Sequence, residues 1–204
     1  MLSKLQQLQT PSGSYYNDLR DLTKLVVKVT GGTDFCIAGG AIRDLVMGRD
    51  EPRDIDIFLF NTDIPYAVWE GIFTVTQPAT NHFSSADQCM GTFQWGKYII
   101  QFCVEPEAKD PATLLSGFDF EECMFTLLPD GTVWTLANIW WTMVHGSQHQ
   151  VMYNPKNRGI KNGHAAKSLR RLYRFCDRYE WTFSKETLHK LAKQVVKETS
   201  PWIF

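Results

Sequence analysis

Asp54 and Asp56 stand two residues apart in the run Arg53-Asp54-Ile55-Asp56-Ile57-Phe58-Leu59, a pair of carboxylates in an otherwise apolar stretch. Side chains at i and i+2 of a β-strand share a face, so the two acids project together while Ile55, Ile57 and Leu59 face a core. Two adjacent carboxylates repel one another unless cations lie between them. Hard oxygen ligands suit Mg²⁺, or Mn²⁺ in its place, which keeps waters and substrate phosphates beside a few protein carboxylates. The pair therefore reads as half of a two-metal site, able to activate an attacking hydroxyl and hold a triphosphate with its leaving pyrophosphate. An isolated Asp-X-Asp also fits a solvated strand edge.

The elements that must position this pair lie just upstream. Phe35-Cys36-Ile37-Ala38 is an apolar strand, Gly39-Gly40 is a turn, and Ile42, Leu45 and Val46 share one face of the helix that follows. Backbone N–H groups freed at such a turn bind phosphate oxygens, and glycine permits close approach. Arg43 lies within reach of the same phosphates with a planar, permanently charged fork. Taken alone, Gly39-Gly40 is equally a plain turn, and Arg43 with Asp44 an exposed pair of charges on a helix face. The joint spacing favours chemistry, because residues 41 to 53 suffice for one helix and a turn from Gly48 to Arg53 into the second strand.

Gly39-Gly40-Ala41-Ile42-Arg43-Asp44, Gly48-Arg49 and Asp54-Ile55-Asp56 together resemble the signature of the DNA polymerase β nucleotidyltransferase superfamily, specifically the head of bacterial CCA-adding tRNA nucleotidyltransferases and poly(A) polymerases. The resemblance implies nucleotidyl transfer from a nucleoside triphosphate, with Asp54 and Asp56 as catalytic metal ligands and Gly39, Gly40, Arg43 and Asp44 at the triphosphate. It also implies a third acidic residue on the next core strand, residues 97 to 104, where Gln101 stands instead. Asp119, in Gly117-Phe118-Asp119-Phe120-Glu121-Glu122-Cys123, is then the remaining catalytic candidate, as a ligand, a ribose contact or a strand cap. That segment resembles the Arg-Arg-Asp-X-X-X-Asn element of the CCA family, with Gly117 and Phe118 at the arginines and Cys123 at the asparagine. Glu105, Glu121 and Glu122 are expected to be solvated, with completion of the metal site by one of them as the alternative.

A chain of 204 residues with 44% hydrophobic and 13% aromatic content can bury a real core, enough for one catalytic domain and a small appendage. It carries no membrane-length apolar run and no signal-peptide pattern at Met1 to Thr10, so a cytoplasmic protein is expected. Cys36, Cys89, Cys103, Cys123 and Cys176 are odd in number and lack zinc or redox spacing, which reads as buried, reduced thiols. The five histidines show no ligand pattern and none receives a role, with a phosphate contact by His164 beside Lys167 as the alternative.

Helical periodicity over Tyr15 to Val29 ends at Gly31-Gly32. A short helix is expected from Ile64 to Gly71, a polar mixed stretch from Gln77 to Thr92, and strands over 97 to 104, Glu121 to Leu128 and Thr132 to Leu136. Pro129-Asp130-Gly131 marks a hairpin turn. The fold class is α/β (α+β): a nucleotidyltransferase head over residues 1–150, with a mixed sheet and helices on one face, then a helical unit over 151–204. Trp134, Trp140 and Trp141 read as packing of head against tail, with stacking on bases as the alternative.

Lys156, Arg158, Lys161, Lys167, Arg170, Arg171, Arg174 and Arg178 are opposed only by Asp177 over that stretch, in a chain of formal net charge −1. Such a concentration attracts a polyanion. Lys167, Arg170, Arg171 and Arg174 are the expected nucleic-acid or phosphate contacts, with Leu172, Phe175 and Tyr179 on the opposing side; a solvated helix face is the plain alternative. Arg171-Leu172-Tyr173-Arg174-Phe175, Trp181-Thr182-Phe183 and Glu186-Thr187-Leu188 resemble the neck helices of CCA-adding enzymes, with Ser168 at one of that family's arginines and Ala165 at an acid. The sequence stops at Phe204, before that family's Glu-Asp-X-X-Arg helix, so autonomous ordered CCA addition is not expected. Short heads of this kind resemble bacteriophage nucleotidyltransferases.

Three functions follow. The first is metal-dependent transfer of a nucleotide from an NTP to the 3′ hydroxyl of a tRNA-like RNA. The second is nucleotidylylation of a protein or small molecule, and the third is a non-catalytic binding module. The acceptor, the base and the oligomeric state are not legible in the residues.

Overall fold

The structure, a computed structural model, describes residues 5–32, 34–50, 52–60, 71, 77–78, 89–105, 107–136, 143, 149–154 and 164–199. These form two compact units: Met1–Leu115 with Cys123–Leu136, and Ser116–Glu122 with Ala137–Phe204. The division differs from the boundary near residue 150 expected from sequence. Short-range bonds explain the difference. Asn154 donates its Nδ2 hydrogens to the carbonyls of Ser116 and Phe118, each at 2.9 Å, and its backbone N–H to Asp119. Residues 116–122 are thereby tied into the second unit.

The first unit is built on an eight-stranded sheet ordered β1-β8-β7-β2-β3-β6-β5-β4. Its strands are β1 (Gln6–Gln7), β2 (Phe35–Ala38), β3 (Ile55–Leu59), β4 (Gln77–Pro78), β5 (Cys89–Trp95), β6 (Tyr98–Val104), β7 (Phe125–Leu127) and β8 (Val133–Thr135). Only β3 and β6 run parallel; every other pairing is antiparallel. The sheet is therefore mixed, as expected.

Register fixes the two faces. Val133, Leu127, Ile37, Ile57 and Phe102 are successive partners across β8, β7, β2, β3 and β6, and all are buried. One residue along, the row Thr126, Ala38, Asp56, Gln101 and Thr92 occupies the opposite face. The period of two makes one face apolar and gives the other its polar groups.

Helix α1 (Ser14–Thr30) buries Tyr15, Tyr16, Leu19, Leu22 and Val26, the spacing of one helical face. Gly31 ends it in the left-handed conformation at φ 68°, and its N–H donates to the Val27 carbonyl at 2.9 Å. Helix α2 is Gly40–Val46 and α3 is Pro111–Ser116. The turn expected at Pro129-Asp130-Gly131 joins β7 to β8, with the Gly131 N–H donating to Leu128 O and Gly131 at φ 84°. Strand β5 and the short β4 arise within and beside the stretch read as polar and mixed. Gly91 and Gln94 break the alternation that would have revealed β5, and a register irregularity lies between Cys89 and Gly91. Of the helix expected at Ile64 to Gly71 only Gly71 is described, and Trp140, Trp141, Lys156, Arg158 and Lys161 lie outside the described residues.

The second unit holds β9 (Gln150–Val151), α4 (His164–Tyr179), β10 (Thr182–Phe183) and α5 (Lys185–Thr199), with β10 parallel to β9. Its core is aromatic. Phe120, Phe175, Tyr179 and Trp181 form a chain of ring contacts, closest between Tyr179 and Trp181, stacked with centroids 4.5 Å apart. Ser184 caps α5, its Oγ accepting the Thr187 N–H at 3.0 Å.

Candidate functional site

Strand β3 carries Asp56 on the face opposite its apolar residues. Ile55, Ile57 and Leu59 are buried, whereas Asp56 and Phe58 are half-buried on the other face, and Asp54, also half-buried, immediately precedes the strand. The Asp54 side chain is 34% exposed and lies 3.9 Å from Arg53 Nε. Asp56 stands in register with Ala38 on β2 and Gln101 on β6. Gln101 thus occupies the strand position expected for a third acid, and the neighbour it offers Asp56 is a neutral amide. Among the described residues, no group of three or more His, Cys, Asp or Glu side chains is arranged to hold a metal ion. The acids' field is felt by Cys103, whose thiol is pushed up first by burial and next by the charge of Asp56, with Asp54 adding to it.

The glycine turn lies at the end of β2, beside Asp56 in register. Gly39 has φ 85° and ψ −134°, a conformation only glycine adopts without strain, and its N–H donates to Phe125 O at 3.0 Å. Of the turn's donors, the Gly39 N–H is therefore committed to the sheet. The first N–H groups of α2 follow it, where an α-helix has no intrahelical acceptors to offer.

Arg43 and Asp44 are not the exposed charges of the plain reading. Both are buried, at 6% and 1% exposure, and they bind each other: Arg43 Nη2 lies 3.1 Å from Asp44 Oδ1 and Nε donates to the same oxygen at 3.2 Å. Arg43 Nη1 reaches Cys123 Sγ at 3.6 Å. A Cβ on Gly40 would meet Arg43 Nη2 at 3.4 Å, so the guanidinium packs beneath the turn. The pair braces the loop from within, and Asp44 also accepts the Arg49 N–H through its carbonyl at 2.8 Å.

Asp119 belongs to the second unit, and its carboxylate is already engaged there. Ser168 Oγ donates to Oδ2 and Arg171 Nη1 to Oδ1, both at 2.7 Å. Asp119, expected from sequence as a catalytic candidate, is 7% exposed, and these two bonds tie α4 to the segment before the 3₁₀ turn Glu121–Cys123. Ser168 was legible only as a departure from an arginine. Its place on the buried stripe with Ala165 and Leu172 is the signal for a buried hydrogen bond, since a hydroxyl there needs a partner.

Glu122 corrects another expectation. It is fully buried rather than solvated, with Oε1 2.8 Å from His149 Nε2 and accepting the Met152 N–H at 2.8 Å. Burial pushes its carboxyl up, and the bonds from His149 and Met152 oppose that. Glu121 is likewise raised, by burial and then by Glu122. His149, given no role from sequence, is the partner that makes this burial tolerable; nothing in its neighbours' pattern announces it.

On α4, Ala165, Ser168, Leu172, Phe175 and Tyr179 are buried, and Lys167, Arg170, Tyr173, Arg174 and Arg178 are exposed. Of the expected nucleic-acid contacts, Lys167, Arg170 and Arg174 thus face solvent. Arg171, with its side chain 43% exposed, sits at the border and is committed to Asp119.

No family model and no curated protein matches the chain by sequence. Solved structures match it by shape. The Thermotoga maritima CCA-adding enzyme complexed with tRNA superposes with a TM-score of 0.62 at 14% identity, over 95% of this chain and 46% of that one. The fold is similar to part of a CCA-adding enzyme. A CCA-adding enzyme with CTP gives a TM-score of 0.59 at 15% identity over 95% of this chain and 45% of its own. A tRNA nucleotidyltransferase with primer tRNA and an ATP analogue gives 0.57 at 16% identity over 85% and 49%. The chain thus spans about half the length of the CCA-adding enzymes it resembles, and the mixed α/β fold expected from sequence is similar to theirs over that part. No helix among the described residues is long and apolar enough to cross a membrane.

Proposed function

We propose that the protein is a nucleotidyltransferase that moves a nucleoside monophosphate from an NTP to the 3′ hydroxyl of a tRNA-like RNA, releasing pyrophosphate. The observation that supports this reading is Asp56 half-buried on β3, with half-buried Asp54 just before the strand, in a chain whose fold is similar to part of a CCA-adding enzyme. The donor set suits a hard divalent cation. Two carboxylates leave most coordination positions for water and phosphate oxygens, as Mg²⁺ prefers, and burial keeps the neighbouring Cys103 protonated, so no soft thiolate competes. Mg²⁺ or Mn²⁺ held by Asp54 and Asp56 would neutralise the triphosphate and lower the pKa of the attacking hydroxyl.

The chain's own part is positioning. The start of α2 presents backbone N–H groups to phosphate oxygens, Gly39 makes the turn, and Arg43 with Asp44 holds it rigid from beneath. Asp119 acts through Arg171 and Ser168 by fixing α4, whose exposed Lys167, Arg170 and Arg174 meet the acceptor's phosphates. No side-chain base is needed, since positioning and charge neutralisation carry most of phosphoryl-type transfer.

The test is incubation with each α-labelled NTP, Mg²⁺ or Mn²⁺, total RNA and cell extract, comparing the wild type with Asp54→Asn. The expected result is label in RNA that is lost in the variant and that identifies the base. Label in a protein or small-molecule fraction would overturn the RNA acceptor while keeping the transfer. Label in no fraction would overturn the transfer itself.

A further inference from the structure

Phe120, Phe175, Tyr179 and Trp181 of the second unit serve its core and are all buried. Tyr173 does not. It is 53% exposed, and it is the one aromatic among the exposed large apolar side chains of the described residues. It stands on the solvent side of α4 between Arg170, one turn earlier, and Arg174, its neighbour, with Lys167 and Arg178 exposed on the same helix. Its ring is not loose: Phe183 of β10 meets it edge to face, with centroids 5.7 Å apart and planes at 82°. Phe183 is half-buried on a strand paired to β9, so the contact holds the tyrosine against a fixed element.

We infer that Tyr173, backed by Phe183, is a stacking platform for one unpaired base of a single-stranded nucleic acid whose phosphates run along Arg170, Arg174 and Arg178. Arginines four residues apart advance about 6 Å per step along one side of a helix, which makes a line of positive charge rather than a point. Such a line attracts a polyanion, and Asp177 is the one acid on that helix to oppose it. An aromatic ring amid the line adds what charge alone lacks, an apolar surface for a base. Duplexes hide their base faces, so the ring selects single strands. This rests on the RNA-acceptor reading and deepens it by naming where an unstacked nucleotide sits.

The probe is a fluorescent single-stranded RNA of about ten nucleotides, within the usual site size of such grooves. Its anisotropy is measured over a salt series with the full chain and the variants Tyr173→Leu, Tyr173→Phe and Arg170→Ala/Arg174→Ala. Tyr173→Leu should weaken binding about tenfold without changing the slope of log affinity against log salt, because stacking releases no counterions. Tyr173→Phe should stay within about twofold, since it keeps the ring. The double arginine variant should lose about 1.4 from the slope, at about 0.7 for each single-strand phosphate contact. The platform is overturned if the RNA binds and Tyr173→Leu binds it equally well, or if the same sequence as a duplex binds as tightly. Poly-glutamate binding as well as RNA, indifferent to Tyr173, would instead make the helix a docking face for an acidic protein. No RNA binding by the wild type even at low salt would remove the acceptor reading itself, an outcome distinct from failure of the platform alone.

Discussion

At the scale of single residues, burial decides what a charge can do. Glu122 has one oxygen shared by His149 and Met152, while Oε2 has no hydrogen-bond partner among the described residues. Because burial raises its carboxyl in the folded protein above the ordinary value of 4.5, the folded state keeps a proton there that the unfolded chain gives up. Its contribution to stability is complete below that value and is lost as pH rises through the raised one. Glu122→Gln keeps the shape and the acceptor without the charge. We expect its melting temperature at neutral pH to equal or exceed that of the wild type, with a flatter pH profile from acid to neutral. A loss exceeding about 1 kcal/mol at neutral pH would mean that the fold prefers a charged Glu122. Asp54 and Asp56, by contrast, are only half-buried. Asp54→Asn or Asp56→Asn should fold normally and lose turnover by roughly 10²–10³-fold, the several kcal/mol that metal-assisted charge stabilisation supplies. Each should also lose any rise in melting temperature that Mg²⁺ or Mn²⁺ plus NTP gives the wild type. Full turnover in either variant would remove the carboxylate pair from the chemistry.

At the scale of elements, backbone conformation sets which residues are replaceable. Helix α4 ends at Tyr179, and Glu180 beyond it has φ 57°, the one non-glycine residue with positive φ among the described residues. Glycine is favoured at such a helix end because it lacks the Cβ that strains the left-handed region. Glu180→Gly should therefore raise stability by about 0.5–1 kcal/mol, read from denaturant midpoints at constant slope; a destabilised variant would show that the Glu180 side chain contributes more than the strain costs. The reverse change at the first unit's turn should do harm. Gly39→Ala should cost about 1–3 kcal/mol from its φ of 85°, and depress turnover beyond what stability explains if the turn cradles phosphate. Unaltered stability and turnover would show that another backbone path serves. These elements differ in legibility. Strand β3 is plain in the sequence because its two faces differ, and α1 because its buried stripe ends at Gly31. Strand β5 was hidden because Gly91 takes a place where a Cβ would come within 2.7 Å of Phe93, so packing demanded a residue that sequence propensity counts against a strand.

At the scale of the molecule, charge is unevenly distributed: the chain as a whole is at −1, yet the solvent side of α4 is basic. Bulk charge therefore cannot drive RNA binding. Salt dependence should reside in that helix, and a charge-matched substitution elsewhere on the surface should leave the slope unchanged. The two units also differ from the expected split, because hydrogen bonds of Asn154 and Glu122 to distant partners override the order of the chain. The sequence by itself determined the periodic features: the shared face of Asp54 and Asp56, the glycine turn, the hairpin at Asp130-Gly131 and the buried stripe of α4. Those depend on neighbours two to four residues away, and local spacing encodes them. Tertiary structure alone decided which charges are spent. Arg43 with Asp44, Asp119 with Arg171 and Ser168, and Glu122 with His149 are matched by packing, and apart from the adjacent first pair their partners lie 27 to 52 residues apart. A carboxylate reads alike in sequence whether it meets water, a metal or a guanidinium, and only the fold, by burying it, obliges it to take a partner.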